Sequence, residues 1–119
     1  PSFIGFSNSV ENINDGQQAA LSVTTALTLL GSSGADTATT LADGTVIGQI
    51  KIIVHDVDGG NSILAVTDAL GFADIDFVTA GDTAMLMWTG TTGWAILSTT
   101  DVLSDATASG AGALVDIAN

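Results

Sequence analysis

Residues 48–57 read GQIKIIVHDV, and the alternation inside that stretch decides the fold. Side chains along an extended backbone point alternately to opposite faces. Ile50, Ile52 and Val54 therefore share one face, and Gln49, Lys51, Ile53 and His55 share the other. The first face is wholly apolar and is expected to line a core. The second is mixed. Asp58-Gly59-Gly60-Asn61 follows with turn chemistry, and Ser62 to Thr67 (SILAVT) reads as the return strand.

The same pattern extends in both directions. Downstream, Asp74 to Thr79 (DIDFVT), Thr83 to Thr89 (TAMLMWT) and Trp94 to Ser98 (WAILS) read as strands. Ala80-Gly81-Asp82 and Gly90-Thr91-Thr92-Gly93 separate them. Upstream, Leu41-Ala42-Asp43-Gly44-Thr45 reads as a tight turn in which Asp-Gly supplies a positive φ. Leu21, Val23, Thr25, Leu27 and Leu29 alternate with Ser22, Thr24, Ala26 and Thr28. Threonine and valine favour strand over helix there. Gly31-Ser32-Ser33-Gly34 reads as a flexible loop.

Turn signals spaced by roughly 8–12 residues are the signature of a sandwich or barrel. The expectation is an all-β fold, a small antiparallel β-barrel or jelly-roll-like sandwich over residues 17–103. An extended N-terminal arm over residues 1–16 precedes it. A flexible C-terminal tail over 104–119 follows, where Leu114, Val115 and Ile117 offer a short final strand or an anchor. Phe3, Ile4 and Phe6 place three large apolar groups on the arm; they either fold back on their own core or dock on another chain.

Charge narrows the function classes. The 119 residues carry a formal net charge of −12, from thirteen carboxylates against the single cation Lys51. Such a surface repels phosphate, which argues against nucleic acid and anionic membranes as partners. Charged residues make up 12% of the chain, about half the roughly 25% of ordinary domains. Thr, Ser, Ala and Gly take their place and are less costly to desolvate against neighbouring subunits. There is no cysteine, and no apolar run approaches the ~18 residues of a membrane span. No signal peptide is evident, and Pro1 reads as the residue left by initiator Met removal, as expected of a cytoplasmically made protein.

The only histidine, His55, lies on a strand beside Asp56, with no Gly-x-Ser-x-Gly elbow to serve. Most aspartates occupy turns, as in Asp43-Gly44 and Asp58-Gly59, where turn chemistry alone accounts for them. The run from Asp56 to Asn61 partly resembles a calcium loop, but it lacks the closing glutamate and reads better as a hairpin turn. The expectation is no enzyme, no cofactor and no metal. Trp88 and Trp94 bracket the turn at 90–93. They form a cross-strand structural pair, a sugar-stacking pair or part of a subunit contact. Met85 and Met87 alternate with Leu86 and Trp88, so this strand is apolar on both faces. That pattern is expected where another sheet or subunit covers each side. Met85, Met87, Trp88 and Trp94 are accordingly the candidate subunit interface.

Three segments in order carry a resemblance: Leu41-x-Asp43-Gly44-Thr45-x-x-Gly48-Gln49-x-Lys51-x-Ile53, then Gly81-Asp82-x-x-x-Leu86-x-Trp88-x-Gly90, then Gly93-Trp94-x-Ile96. Over roughly residues 20–98 the chain resembles a β-domain of virion proteins of tailed phages, especially marine and cyanobacterial phages. The resemblance implies a capsid decoration (cement) protein or a domain of a head or tail fibre, usually a homotrimer. It implies no catalytic residues. Because the domain fills nearly the whole sequence, the decoration reading is preferred, on the exterior of the capsid. The major capsid protein is then the partner, with Phe3, Ile4 and Phe6 as candidate capsid anchors. The alternatives are a receptor-binding or glycan-binding fibre module and an extracellular bacterial surface subunit.

Overall fold

Every regular element in the computed structural model, which describes residues 10–13, 20–32 and 34–100, is a strand. In chain order these are β1 (Val10–Ile13), β2 (Ala20–Leu21), β3 (Leu27–Ser32), β4 (Thr37–Leu41), β5 (Ile50–Asp58), β6 (Ser62–Val66), β7 (Asp74–Phe77), β8 (Thr83–Trp88) and β9 (Trp94–Thr99). They form a five-stranded sheet, β1-β3-β5-β8-β9, and a four-stranded sheet, β2-β4-β6-β7. One apolar core lies between the two, with Leu30, Ile53, Leu86 and Trp94 from the first sheet against Leu41, Leu64, Ile75 and Phe77 from the second.

The first six strands alternate between the sheets. Each crossing brings the chain back to the same sheet in the same direction, so β1, β3 and β5 are parallel neighbours, as are β2, β4 and β6. Only then does the chain reverse: β7 returns antiparallel to β6, β8 antiparallel to β5, and β9 antiparallel to β8. The antiparallel barrel or sandwich expected from the sequence is therefore corrected to two mixed sheets that do not close into a barrel. Turn residues announce a change of direction, but they do not say which sheet the next strand joins. Asp58-Gly59-Gly60-Asn61 is such a case. It carries the chain across to the other sheet, so Ser62–Val66 is not the hairpin partner of β5.

Two further expectations change. Gly31 and Ser32 belong to β3 and are buried, at a bulge where Gly31 pairs with Val57, so they are not loop. A Cβ on Gly31 would press on the Val57 side chain, which explains a glycine in mid-sheet. Gly44 does not provide the positive φ expected of the Asp43-Gly44 pair. Gly48 does, at φ 90°, while Gly44 is needed because Trp88 packs against its Cα.

Of the expected N-terminal arm, Val10–Ile13 is a sheet strand. Residues 1–9 and 14–16, with Phe3, Ile4 and Phe6, lie outside the described residues, as does the tail over 104–119.

Candidate functional site

Parity along β5 is the reverse of the sequence reading, and this sets the chemistry of both faces. Lys51, Ile53 and His55 point inward and are fully buried, whereas Ile50, Ile52 and Val54 point outward and are half-buried. The mixed face faces the core because each polar member has a partner there. Lys51 Nζ donates to the Ser22 carbonyl (2.8 Å), the Thr25 carbonyl (3.0 Å) and Thr25 Oγ1 (3.0 Å), and lies 3.8 Å from Glu11 Oε1. Glu11 in turn accepts from the Ser22 amide at both oxygens (3.0 and 3.1 Å) and from Thr28 Oγ1 (2.7 Å). Burial lowers the Lys51 pKa to about 8, against the pull of Glu11, which raises it. His55 Nδ1 meets the Thr79 carbonyl at 3.0 Å. Its Nε2 is buried near Phe77 with no hydrogen-bond partner among the described residues.

The outward face of the five-stranded sheet then carries an apolar patch, bordered by Asn12 beside Leu29, Thr83 beside Val54 and Ser98 beside Met85. Register places Leu27 beside Ile52 and Leu29 beside Val54, and on the other side Met85 beside Ile52 and Met87 beside Ile50. Ala95 extends the face beyond Met87, and the exposed Val10 extends it beyond Leu27. No charged side chain interrupts these positions; Asp56 stands at the rim. No strand among the described residues lies over them. The outer face of the four-stranded sheet is different, with exposed Ala38, Thr40 and Ala65 and half-buried Asp74 and Asp76. The first outer face is uncharged, whereas the second carries carboxylates beside its small residues and Ile63.

The candidate interface residues separate accordingly. Met85 and Met87 lie on the uncovered face. Trp88 and Trp94 lie in the core, with ring centroids 5.4 Å apart and planes tilted by 59°, and the Trp94 Nε1 donates to the Ala42 carbonyl at 2.9 Å. Indoles held this way do not offer two flat faces to a sugar.

A second feature occupies the end of the sandwich where loops 42–49, 67–73 and 89–93 meet. Asp43, Asp68, Trp88, Gly90 and Thr91 line an open hollow of about 420 Å³ there. Asp68 has a left-handed backbone, φ 52°, and its carbonyl accepts the Trp94 amide at 3.0 Å, which ties loop 67–73 to the β8–β9 hairpin. Desolvation, followed by the charge of Asp68 and a hydrogen bond to it, raises the Asp43 pKa above the usual carboxylate value. Beside the hollow, Val46 and Ile47 are 64% and 74% exposed. At the other end, in the turn that resembles a calcium loop, Asp36 Oδ1 accepts the Asn61 amide at 2.9 Å. Among the described residues no group of three or more His, Cys, Asp or Glu could hold a metal ion.

The sequence reading missed the Glu11–Lys51 pair and the loop end. The pair was marked by composition, since the two are the only glutamate and the only lysine. No family model matches the chain, and a search of curated proteins finds no match.

Proposed function

We propose that this chain is a non-enzymatic structural subunit of a virion, a decoration protein that assembles as a homotrimer and seats on the exterior of a tailed-phage head. The observation that carries the reading is the uncharged outer face of the five-stranded sheet. Parallel strands, as β1, β3 and β5 are, ordinarily lie in sheets covered on both faces. Here the half-buried Leu27, Leu29, Ile50, Ile52, Val54, Met85 and Met87 have no second layer among the described strands. In a chain of net charge −12, this is also a surface on which copies can meet without setting carboxylates against each other.

Three copies follow the homotrimer that the resemblance implies, and the outer face of the five-stranded sheet is the surface offered for their contact. The resemblance to phage virion domains supplies the head, with the major capsid protein as partner and Phe3, Ile4 and Phe6 as anchors. The acidity favours the outside of the shell, away from packaged DNA. Binding only the assembled shell would stabilise it by mass action.

Light scattering on the purified chain tests the assembly, and co-sedimentation with DNA-free heads tests its seat. A mass three times the chain's 11.8 kDa and retention on heads are expected. A folded monomer at micromolar concentration defeats the assembly reading, and a trimer that ignores heads defeats the decoration reading.

A further inference from the structure

We infer that the loop end of the sandwich, with Val46 and Ile47 at its tip, docks this chain onto a different protein that offers an apolar pocket with a basic rim. The inference deepens the decoration reading and rests on it. Val46 and Ile47 are adjacent, and they are the two most exposed of the large hydrophobic residues described. Two neighbouring branched side chains held out into water at the tip of a loop contribute favourable free energy to any contact that covers them.

The tip is also held rigidly. Gln49 Oε1 accepts the amides of Thr45 (2.7 Å) and Val46 (3.1 Å), while its Nε2 donates to the Val23 carbonyl. The Gly48 amide donates to the Trp88 carbonyl at 2.8 Å, and the Gln49 amide to the Val46 carbonyl at 3.0 Å. Gly90 lies so close to Ile47 that a Cβ there would stand 3.2 Å from Ile47 Cδ1. A preset tip loses little conformational freedom on binding, which is how a small contact becomes a tight one.

Charge then identifies the kind of partner. Asp43 and Asp68 line the hollow beside the tip, so a complementary surface carries cations around the pocket that receives Ile47. A sister copy cannot supply them, because the chain's one cationic side chain, Lys51, is 1% exposed in the core. The partner is therefore a different protein.

The test uses the full chain and DNA-free heads stripped of it, from the phage that carries its gene. Val46→Ser/Ile47→Ser is expected to retain the wild-type oligomeric mass and to bind heads at least about tenfold more weakly. Equal binding overturns the inference while leaving the decoration reading standing; wild-type chain that does not bind overturns both. Asp43→Asn/Asp68→Asn is expected to flatten the loss of binding between about 0.05 M and about 0.3 M salt. An unchanged salt response removes the basic rim.

Discussion

Lys51 Nζ stands 3.8 Å from the Glu11 carboxylate, joining the only lysine of the chain to its only glutamate across the five-stranded sheet. The pair is a core element rather than a surface ornament, since Lys51 is 1% and Glu11 20% exposed. Glu11 also grips the Ser22 amide and Thr28, so a single carboxylate fastens the four-residue edge strand β1 to the loop before β3 and to β3 itself.

The first prediction concerns alkaline pH. The Lys51 pKa is about 8 in the folded protein and 10.5 in its ordinary state. Between these values the unfolded chain holds a proton that the folded chain has released, so stability rises with pH across that window. Below about 8 both states are protonated and the slope vanishes. The chain has no tyrosine, cysteine or arginine, so no other side chain titrates there. Urea unfolding at pH 7.5 and pH 10.5 is expected to give the higher midpoint at pH 10.5, and Lys51→Met is expected to abolish the difference.

Breaking the pair from the other side is expected to be costly. Glu11→Gln leaves a buried ammonium without its counter-charge, a loss on the order of 3 kcal/mol. Glu11→Leu/Lys51→Met removes both charges and is expected to recover most of that loss. A double-mutant cycle of Glu11→Leu, Lys51→Met and the two combined, read by denaturant unfolding, measures the coupling, and additive effects would remove the pair from the account of β1 docking.

Neighbouring residues on β5 are expected to respond oppositely to the same substitution. Ile53 is fully buried, and Ile53→Asp is expected to unfold the protein, as an unpaired charge in a core costs several kcal/mol, about the whole stability of a small domain. Ile52 faces outward, and Ile52→Asp is expected to leave far-ultraviolet dichroism unchanged while reducing the oligomeric mass to that of one chain. An Ile52→Asp variant that stays assembled would place the subunit contact elsewhere.

Gly93 is expected to reject a side chain. It has φ 107°, and a Cβ there would overlap the Asp68 carbonyl. Gly93→Ala is expected to cost more than about 1 kcal/mol and to expose Trp94, read as a red shift of tryptophan emission. Gly71 also has positive φ but meets nothing within 4 Å, so Gly71→Ala keeps the buried tryptophan spectrum.

The sequence made the later strands legible and left the earlier ones obscure, for a physical reason. β5, β6, β7, β8 and β9 lie within a residue or two of the expected segments, because β-branched runs bounded by Gly-Asp turns are local signals. β4 escaped because TATTL carries little hydrophobic contrast. The alternation from Leu21 to Leu29 looked like one strand, but residues 22–26 bend, with Ser22 Oγ bonded to the Thr24 amide and the carbonyls of Ser22 and Thr25 turned toward Lys51. That interruption also explains the inverted face of β5. Alternation separates two faces without saying which is inside, and Lys51 and His55 made the inner face look like the outer one. Their partners, Glu11, Ser22, Thr25 and Thr79, are distant in sequence, so nothing local announced that the polar groups were satisfied. The loop end was half legible: Asp43-Gly44 and Gly90–Gly93 signalled turns, whereas their convergence around Trp88 depends on tertiary packing.

The winding of the first six strands bears on how a ribosome delivers this molecule. β1 and β2 leave the exit tunnel first, yet each must wait for a later strand, because among the described residues β1 pairs with β3 alone, and β3 draws its second neighbour from β5. Parallel pairings across such separations close slowly. The nascent chain consequently carries Leu27, Leu29 and Leu30 unprotected until Ile50–Asp58 has itself emerged and paired with them.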